Sequence, residues 1–210
     1  MKTFCSWSGG KDSTLALYHG LKKFKVDYLF TMLSEDGIHS RAHGLPKSIL
    51  EKQANSIGIP LITKCSTWGE YEKNFLDFLE EYAKGGMGIF GDIDLQEHLD
   101  WVENVCNKKN VRVFEPLWRR NRREIVEEFL KLGFKAKIIA VKKDLNIEKY
   151  LGKDLSFDLI SEFESIGIDA CGENGEFHTF VYNGPIFKNP VDFEIGTCVE
   201  KSKNLVLEIK

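Results

Sequence analysis

Short apolar runs alternate with amphipathic stretches through the first half of the chain. Apolar runs of strand length lie at residues 3–7, 26–33, 60–64, 87–90 and 111–114. Runs of this length between turn residues are typical of buried strands, whereas apolar residues spaced three and four apart are typical of helices. Strands that alternate with helices predict βαβ units, so we expect a parallel sheet with helices on both faces.

Amphipathic helices are predicted between these strands. In the helix predicted over residues 47–57, Ile49, Leu50 and Ala54 share one face. Gly58 is expected to end that helix, because glycine adopts the left-handed backbone of a C-cap without a steric penalty. The other helices of the first half are predicted over residues 14–22, 70–83 and 95–107.

The regular alternation lapses near Arg119. Beyond it the pattern predicts helices over residues 124–132 and 157–165, a strand over 137–141, and short strands and turns to the end of the chain. The predicted fold class is therefore α/β, with a Rossmann-like parallel sheet followed by a smaller α+β domain. We place the α/β domain at residues 1–118 and the smaller domain at residues 119–210.

Bulk composition excludes several classes of protein. The formal net charge of -3 argues against a nucleic-acid partner, since domains that bind nucleic acid are usually basic. No stretch approaches the roughly 18 consecutive apolar residues of a membrane-spanning helix, and no apolar signal region opens the chain. We therefore expect no membrane partner and a cytoplasmic location.

The five cysteines are scattered along the chain and include no C-x-x-C pair. A zinc knuckle or an iron–sulfur cluster needs closely spaced cysteines, so neither is expected. Reduced, partly buried thiols are the default interpretation.

A glycine-rich loop at residues 8–13 joins the first predicted strand to the first predicted helix. Two adjacent glycines let the backbone approach a ligand closely, and the unpaired amides and dipole of a helix N-terminus favour an anion. Lys11 adds a positive charge, and Ser8 and Ser13 add hydroxyls. Asp12 lies where a helix N-cap is expected, and it could also hold a metal ion beside phosphates.

Other polar residues are expected at the same edge of the sheet. Residues 34–36 follow the second predicted strand, and Asp92 follows the fourth. Ligands of open α/β sheets bind beyond the carboxyl ends of the strands, at the point where the strand order reverses. Asp92 is therefore a candidate metal ligand, with capping of the following helix as the alternative. His43 precedes a glycine in a predicted loop and could contact a nucleotide or simply face solvent.

The stretch over residues 172–179 is too polar for the interior of an ordinary strand. Glu173 and Glu176 could bind a cation, orient an amine or act as a base, and His178 could accept a proton near neutral pH. The alternative is a polar hairpin turn on the surface.

The loop over residues 8–13 lacks the first glycine and the final Ser or Thr of a Walker A motif. Its sequence, SGGKDS, instead resembles the PP-loop of the ATP pyrophosphatases. That resemblance implies binding of ATP with Mg²⁺, cleavage between the α- and β-phosphates, and adenylation of a substrate oxygen. Paired cysteines for sulfur transfer, which some relatives carry, are absent in sequence.

Several further motifs sharpen the resemblance: HG at 43–44, GDI at 91–93, PLW at 116–118, GFKA at 133–136, GENGEF at 172–177 and NGP at 183–185. Together with the loop, they resemble the diphthine–ammonia ligase family over nearly the whole chain. The resemblance implies that a carboxylate is adenylated and then amidated by free ammonia. With the residues discussed above, we expect nucleotide binding by Ser8, Gly9, Gly10, Lys11, Asp12, Ser13 and His43, and metal binding by Asp12 and Asp92. Catalysis is expected from Lys11 and from one or more of Glu173, Glu176 and His178.

One departure leaves the substrate open. Asn174 stands where the diphthamide enzymes carry a glycine, and His178 stands where they carry a glutamate. The carboxylate could be diphthine on an elongation factor or a different small molecule, as in cobamide salvage. The chain could also be a tRNA-modifying enzyme or a non-catalytic ATP-binding protein, and a homodimer is left open.

Overall fold

Five parallel strands form the first sheet of the computed structural model, which describes all 210 residues of the chain. The strands are β1 (Thr3–Ser6), β2 (Tyr28–Leu33), β3 (Leu61–Cys65), β4 (Met87–Ile89) and β5 (Arg112–Phe114). They pair in the order β3-β2-β1-β4-β5, and every pair is parallel. The strand order reverses between β1 and β4, which is where such sheets open a crevice for a ligand.

Helices cover both faces of this sheet. They are α1 (Lys11–Leu21), α2 (Lys47–Ile57), α3 (Tyr71–Phe78) and α4 (Gln96–Asn107). One face packs against Leu15 of α1 and Leu50 of α2, and the other packs Phe4 and Phe30 against Phe75 of α3. Adjacent strand residues point to opposite faces, so strands covered on both sides are apolar at nearly every position. The predicted α/β class is confirmed.

The helix bounds expected from the sequence differ from the structure by up to three residues. Helix α1 begins at Lys11, where residue 14 was expected, and the helix expected over residues 124–132 spans Arg122–Lys131. The prediction for α2 is confirmed at both ends, and Gly58 has the left-handed φ of 84° expected of its C-cap. The single α-helix predicted over residues 70–83 is wrong in its last turn. There the chain forms a π-helical turn, Leu79–Ala83, which buries both end residues against the aromatic core.

The second half of the chain forms a four-stranded antiparallel sheet with two helices. The order of its strands is β7-β6-β9-β8. Its elements are α5 (Arg122–Lys131), β6 (Lys135–Lys142), α6 (Phe157–Ser165), β7 (Phe177–Asn183), β8 (Ile195–Lys201) and β9 (Asn204–Ile209). Side chains of Asn121 and Ser156 cap α5 and α6 by accepting first-turn amides, which accounts for where both helices begin. The prediction of a smaller α+β unit in the second half of the chain is therefore confirmed.

The two sheets share one hydrophobic core. The cluster around Leu15 of α1 also contains Phe129 of α5 and Phe180 of β7. The expected boundary between residues 118 and 119 lies in the segment between β5 and α5, and it stays a prediction. Burial of apolar area from both halves in one cluster means that their relative position is held by the core itself.

Two of the bulk expectations can be compared with the structure. All five cysteines are free: Cys5, Cys106 and Cys171 are buried, and Cys65 and Cys198 are exposed. None of the helices combines the length and the apolar character required to cross a membrane.

Candidate active site

The loop between β1 and α1 is shaped by its two glycines. Gly9 has a φ of +78°, which side chains on L-residues rarely tolerate. A Cβ on Gly10 would lie 2.4 Å from Cε1 of His43. Gly9 is therefore required because of its backbone conformation, and Gly10 is required because the His43 ring leaves no room for a side chain.

The hydroxyls of Ser8 and Ser13 form hydrogen bonds within the loop. Ser8 Oγ lies 3.0 Å from Ser13 Oγ, and the Gly10 amide donates to Ser8 Oγ over 3.3 Å. The expectation that Asp12 caps the helix is wrong. Gly10 is the N-cap and already has the extended backbone that a cap needs, so Asp12 falls inside the first turn of α1.

Lys11 is a buried cation held by its neighbour. Only 5% of the residue is exposed, and its Nζ donates to Oδ2 of Asp12 over 2.7 Å. Burial disfavours the charged ammonium, but the surrounding acidic groups, with the Asp12 carboxylate the strongest, together outweigh that effect and the pKa of Lys11 is raised. The side chain therefore carries a full positive charge at neutral pH.

A cleft of about 330 Å³ opens over the loop, at the point where the strand order reverses. The structure brings most of the predicted site residues together there: Ser8, Lys11, Asp12, Ser13, His43, Asp92, Glu173 and His178 line the cleft. Gly9 and Gly10 shape the loop beneath it. Residues 34–36 do not line it, because Asp36 turns back to accept hydrogen bonds within its own loop.

Glu176 is the predicted catalytic residue that does not line the cleft. Its side chain is buried, and Oε1 accepts a hydrogen bond of 3.0 Å from Asn174 Nδ2. Oε2 is buried without a partner. A role for Glu176 in chemistry stays a prediction.

Strand β7 holds the loop from the C-terminal side. The backbone amide of Val181 donates to the Gly9 carbonyl over 3.0 Å. Gln53 Nε2 donates to that same carbonyl over 3.0 Å and to the Val181 carbonyl over 2.6 Å, while its Oε1 accepts from the Trp7 indole over 3.1 Å. Because Gln53 is fully buried, these bonds fix the position of the loop against both halves of the fold.

An arginine anchors the turn that precedes β7. The Arg122 guanidinium donates to Asp94 over 2.7 Å and to Asp169 over 2.6 Å. Asp169 in turn accepts the backbone amide of Glu173 over 3.1 Å. The arginine-rich segment over residues 119–123 thus uses Arg122 to hold Glu173 beside the cleft.

Two histidines stack at the inner wall of the cleft. The ring centroids of His43 and His178 are 4.7 Å apart, with 28° between the planes. Burial and the nearby Lys11 charge lower the pKa of His178 to about 4. Burial, His178 and Lys11 hold the pKa of His43 well below its usual value. Both imidazoles are neutral at pH 7, so His178 can accept a proton only weakly.

Two carboxyl groups near the cleft titrate near neutrality. Burial, reinforced by the Asp12 charge, raises the pKa of Glu173 to about 7. Burial and the Asp92 charge raise the pKa of Glu115 to about 7 as well. Both carboxyl oxygens of Glu115 are buried without hydrogen-bond partners.

Glu115 and His98 were not predicted from the sequence. Asp92 Oδ1 lies 3.2 Å from His98 Nδ1, and this contact raises the pKa of His98. Glu115 directly follows β5, just as Asp92 follows β4 by a short turn. The rule that selected Asp92 would therefore have selected Glu115 as well.

The carboxylates of the cleft suit a magnesium ion that is bound together with phosphates. No group of three or more His, Cys, Asp or Glu side chains is arranged to hold a metal ion. Magnesium usually takes only one or two protein carboxylates and completes its shell with water and phosphate oxygens. Asp12 and Asp92, which line one cleft, fit that pattern.

Sequence comparisons cover both halves of the chain. Residues 1–113 match the family described as Diphthamide synthase N-terminal domain, and residues 121–209 match the Diphthamide synthase C-terminal domain.

The curated relatives that match this chain are described as diphthine–ammonia ligases. A diphthine–ammonia ligase of Mus musculus is 35% identical over 105 residues, or 48% of this chain and 39% of the mouse protein. The Homo sapiens protein is 36% identical over 94 residues, 43% of this chain and 35% of its own length. The Saccharomyces cerevisiae protein is 25% identical over 231 residues, 90% of this chain and 34% of its own length. The matched region is therefore less than half of each of these relatives.

One of the solved structures that match this chain is only distantly similar to it. It is described as a predicted subunit of a tRNA methyltransferase from Methanocaldococcus jannaschii. The alignment covers 85% of this chain and 95% of that one, with 15% identity and a TM-score of 0.45. No conclusion about function follows from a likeness so distant.

Proposed function

The chain belongs to the diphthamide synthase family, and from that membership we propose that it is an ATP-dependent amide ligase. A substrate carboxylate would be adenylated with release of pyrophosphate and then amidated by ammonia. The single observation that carries the proposal is the cleft itself, where the glycine-rich loop with its buried Lys11 faces Glu173 and His178.

The loop is suited to the phosphates of ATP. Lys11 brings a charge that stays positive although it is buried, and the helix N-terminus adds its dipole. In the first step a carboxylate oxygen bonds to the α-phosphorus, and the bond from that phosphorus to the bridging oxygen of pyrophosphate breaks. Lys11 would stabilise the charge that develops on the leaving group. Asp12 and Asp92 would hold Mg²⁺, which supplies further neutralisation of that charge when bound.

Glu173 is the best-placed base for the second step. Ammonia bonds to the acyl carbon, AMP leaves, and the new amide nitrogen must lose a proton. A carboxyl group with a pKa of about 7 is matched to that task near neutral pH. Neutral His178, beside it on the cleft wall, would orient the carboxylate by hydrogen bonding. Glu176 is left out of this assignment because its carboxylate contacts Asn174 outside the cleft.

The test measures the products formed from ATP. The protein is incubated with ATP, Mg²⁺, ammonium and a panel of carboxylates that includes diphthine-bearing elongation factor. We expect AMP and pyrophosphate in equal amounts, dependent on one carboxylate. Lys11→Ala should reduce their formation by a factor of roughly 100 or more, as loss of a main charge-stabilising group does.

Lys22→Ala is the matched control, because Lys22 follows the last residue of the same helix and its side chain is exposed. This variant should turn over like the wild type. Formation of ADP and phosphate would contradict the adenylation step. Tight ATP binding without turnover on any carboxylate would instead indicate a non-catalytic ATP-binding protein.

A further inference from the structure

The stacked histidines border both the cleft and a second cavity. Ala42, His43 and His178 line both the cleft and a neighbouring cavity of about 150 Å³. The other walls of this second cavity include Ala140, Lys201 and Val206. A molecule held there would contact the same imidazoles that line the cleft.

The second cavity continues along the antiparallel sheet. A further cavity of about 120 Å³ shares His43, Gly44, Lys201 and Val206 with it. Together the two cavities form a groove between the loop that carries His43 and strand β9, with one end at the cleft. We call it the histidine-backed groove.

Lys201 gives the histidine-backed groove its charge. It is the last residue of β8, and it forms no ion pair, whereas nearby Lys143 and Lys210 are paired with Glu200 and Glu208. No acidic side chain lines the second cavity. Glu208 lines the further cavity, beyond Lys201 from the cleft. Next to the histidines, Lys201 is therefore the only charged side chain that lines the groove.

Resting on the proposed function, we propose that the histidine-backed groove binds the acceptor as a dianion. The reacting carboxylate would lie beside His178, and a second anionic group would pair with Lys201. One small molecule can contact both side chains, because both line the same cavity. A trimethylammonium group requires acidic or aromatic walls, and Lys201 would repel it. The acceptor class is thus a small dicarboxylate or similar dianion without a fixed positive charge.

Binding can be measured without catalysis. The full chain is labelled with ¹⁵N-histidine, and the imidazole signals of His43 and His178 are followed by NMR during titration. Succinate, glutarate and adipate serve as dianionic probes of increasing length, and glycine betaine serves as the trimethylammonium carboxylate. We expect at least one dicarboxylate to shift both signals saturably and betaine to shift neither.

Variants at Lys201 test the proposed contact. Lys201→Ala should weaken dicarboxylate binding by about tenfold or more, the scale expected for a lost charge-assisted hydrogen bond. Lys201→Arg should retain binding, and Lys203→Ala, an exposed lysine in the adjacent turn, should match the wild type. ATP affinity measured by calorimetry should be the same in all of them, which shows that the fold and the loop are intact.

Three results would overturn the inference: no dicarboxylate perturbs the histidine signals, Lys201→Ala binds dicarboxylates as tightly as the wild type does, or betaine is preferred to the dicarboxylates. These outcomes differ from failure of the proposed ligase, which is read from AMP and pyrophosphate. Dicarboxylate binding with no AMP formed from any carboxylate of the panel would leave the groove assigned and contradict the ligase.

Discussion

The backbone amide of Lys11 donates a hydrogen bond of 3.1 Å to the hydroxyl of Thr179, which lies 168 positions later in the chain. This amide is the first of α1, in the loop that we propose binds phosphate. The antiparallel sheet therefore does more than cover the loop. It supplies one of the acceptors that determine the loop's shape.

Replacing Thr179 with valine tests this contact. Valine keeps the shape but leaves a buried amide without its acceptor, which should lower the free energy of unfolding by about 1–2 kcal/mol. Urea unfolding followed by tryptophan fluorescence measures the change. Thr179→Ser retains the hydroxyl and should lose much less. Equal stability of the valine and serine variants would show that the bond contributes nothing.

Gln53 offers a second test of the junction between loop and sheet. Gln53→Leu removes one acceptor and two donated bonds from a fully buried position, so the carbonyls of Gly9 and Val181 each lose a donor. The expected loss of stability is on the order of 3 kcal/mol. Gln96→Leu, on the exposed side of α4, is the control and should change stability by less than about 0.5 kcal/mol. A small effect at Gln53 would mean that water satisfies these groups.

Gly10 and His43 should be energetically coupled. Gly10→Ala places a methyl group 2.4 Å from the His43 ring, so the ring must move and the His43–His178 stack must open. In a His43→Ala background the same methyl group has room, apart from the Thr179 carbonyl at 3.2 Å. A double-mutant cycle of chemical unfolding should yield a favourable coupling of about 1 kcal/mol or more. Strict additivity of the two changes would contradict the contact.

Glu115 should make stability depend on pH. Its pKa is raised from 4.5 to about 7 in the folded state, so between these values the folded protein retains a proton that the unfolded chain has lost. Stability from this group is therefore full below pH 4.5 and is lost as pH rises through 7.

The variant Glu115→Gln cannot ionise at this position, so it should not lose stability as the pH rises through 7. After allowance for solvent screening, it should be more stable than the wild type by about 1–2 kcal/mol at pH 8 and equal to it at pH 4. Thermal unfolding across this pH range measures the difference. Glu148→Gln changes an exposed glutamate without an ion pair and should leave the profile unchanged. A constant gap between Glu115→Gln and wild type at all pH values would refute the titration.

Local pattern was sufficient for much of the fold. The spacing of Ile49, Leu50 and Ala54 together with Gly58 placed both ends of α2, because helix periodicity and C-capping are properties of neighbouring residues. Asp92 was selected for a similar reason, since a parallel sheet brings the residues that follow its strands to one edge. The loop at residues 8–13 was found because its glycines, lysine and hydroxyls lie in one segment.

The remaining features depend on contacts between distant segments. Nothing near Thr179 indicates that its hydroxyl would meet the Lys11 amide, because the pairing and position of β7 are tertiary properties. The opposite orientations of Glu173 and Glu176 follow from the turn at residues 172–175, where both glycines have positive φ values. The raised pKa of Glu115 likewise arises from burial beside Asp92, and no spacing in the sequence reports burial.

The bond from the Val181 amide to the Gly9 carbonyl also bears on the order in which the protein folds. The glycine-rich loop is synthesised well before β7, yet it reaches the geometry seen here only after β7 has been made and has docked. Contacts between residues so far apart form late, because closing the intervening chain costs entropy before the contact stabilises anything. The phosphate site that we propose for this loop is thus completed late in folding.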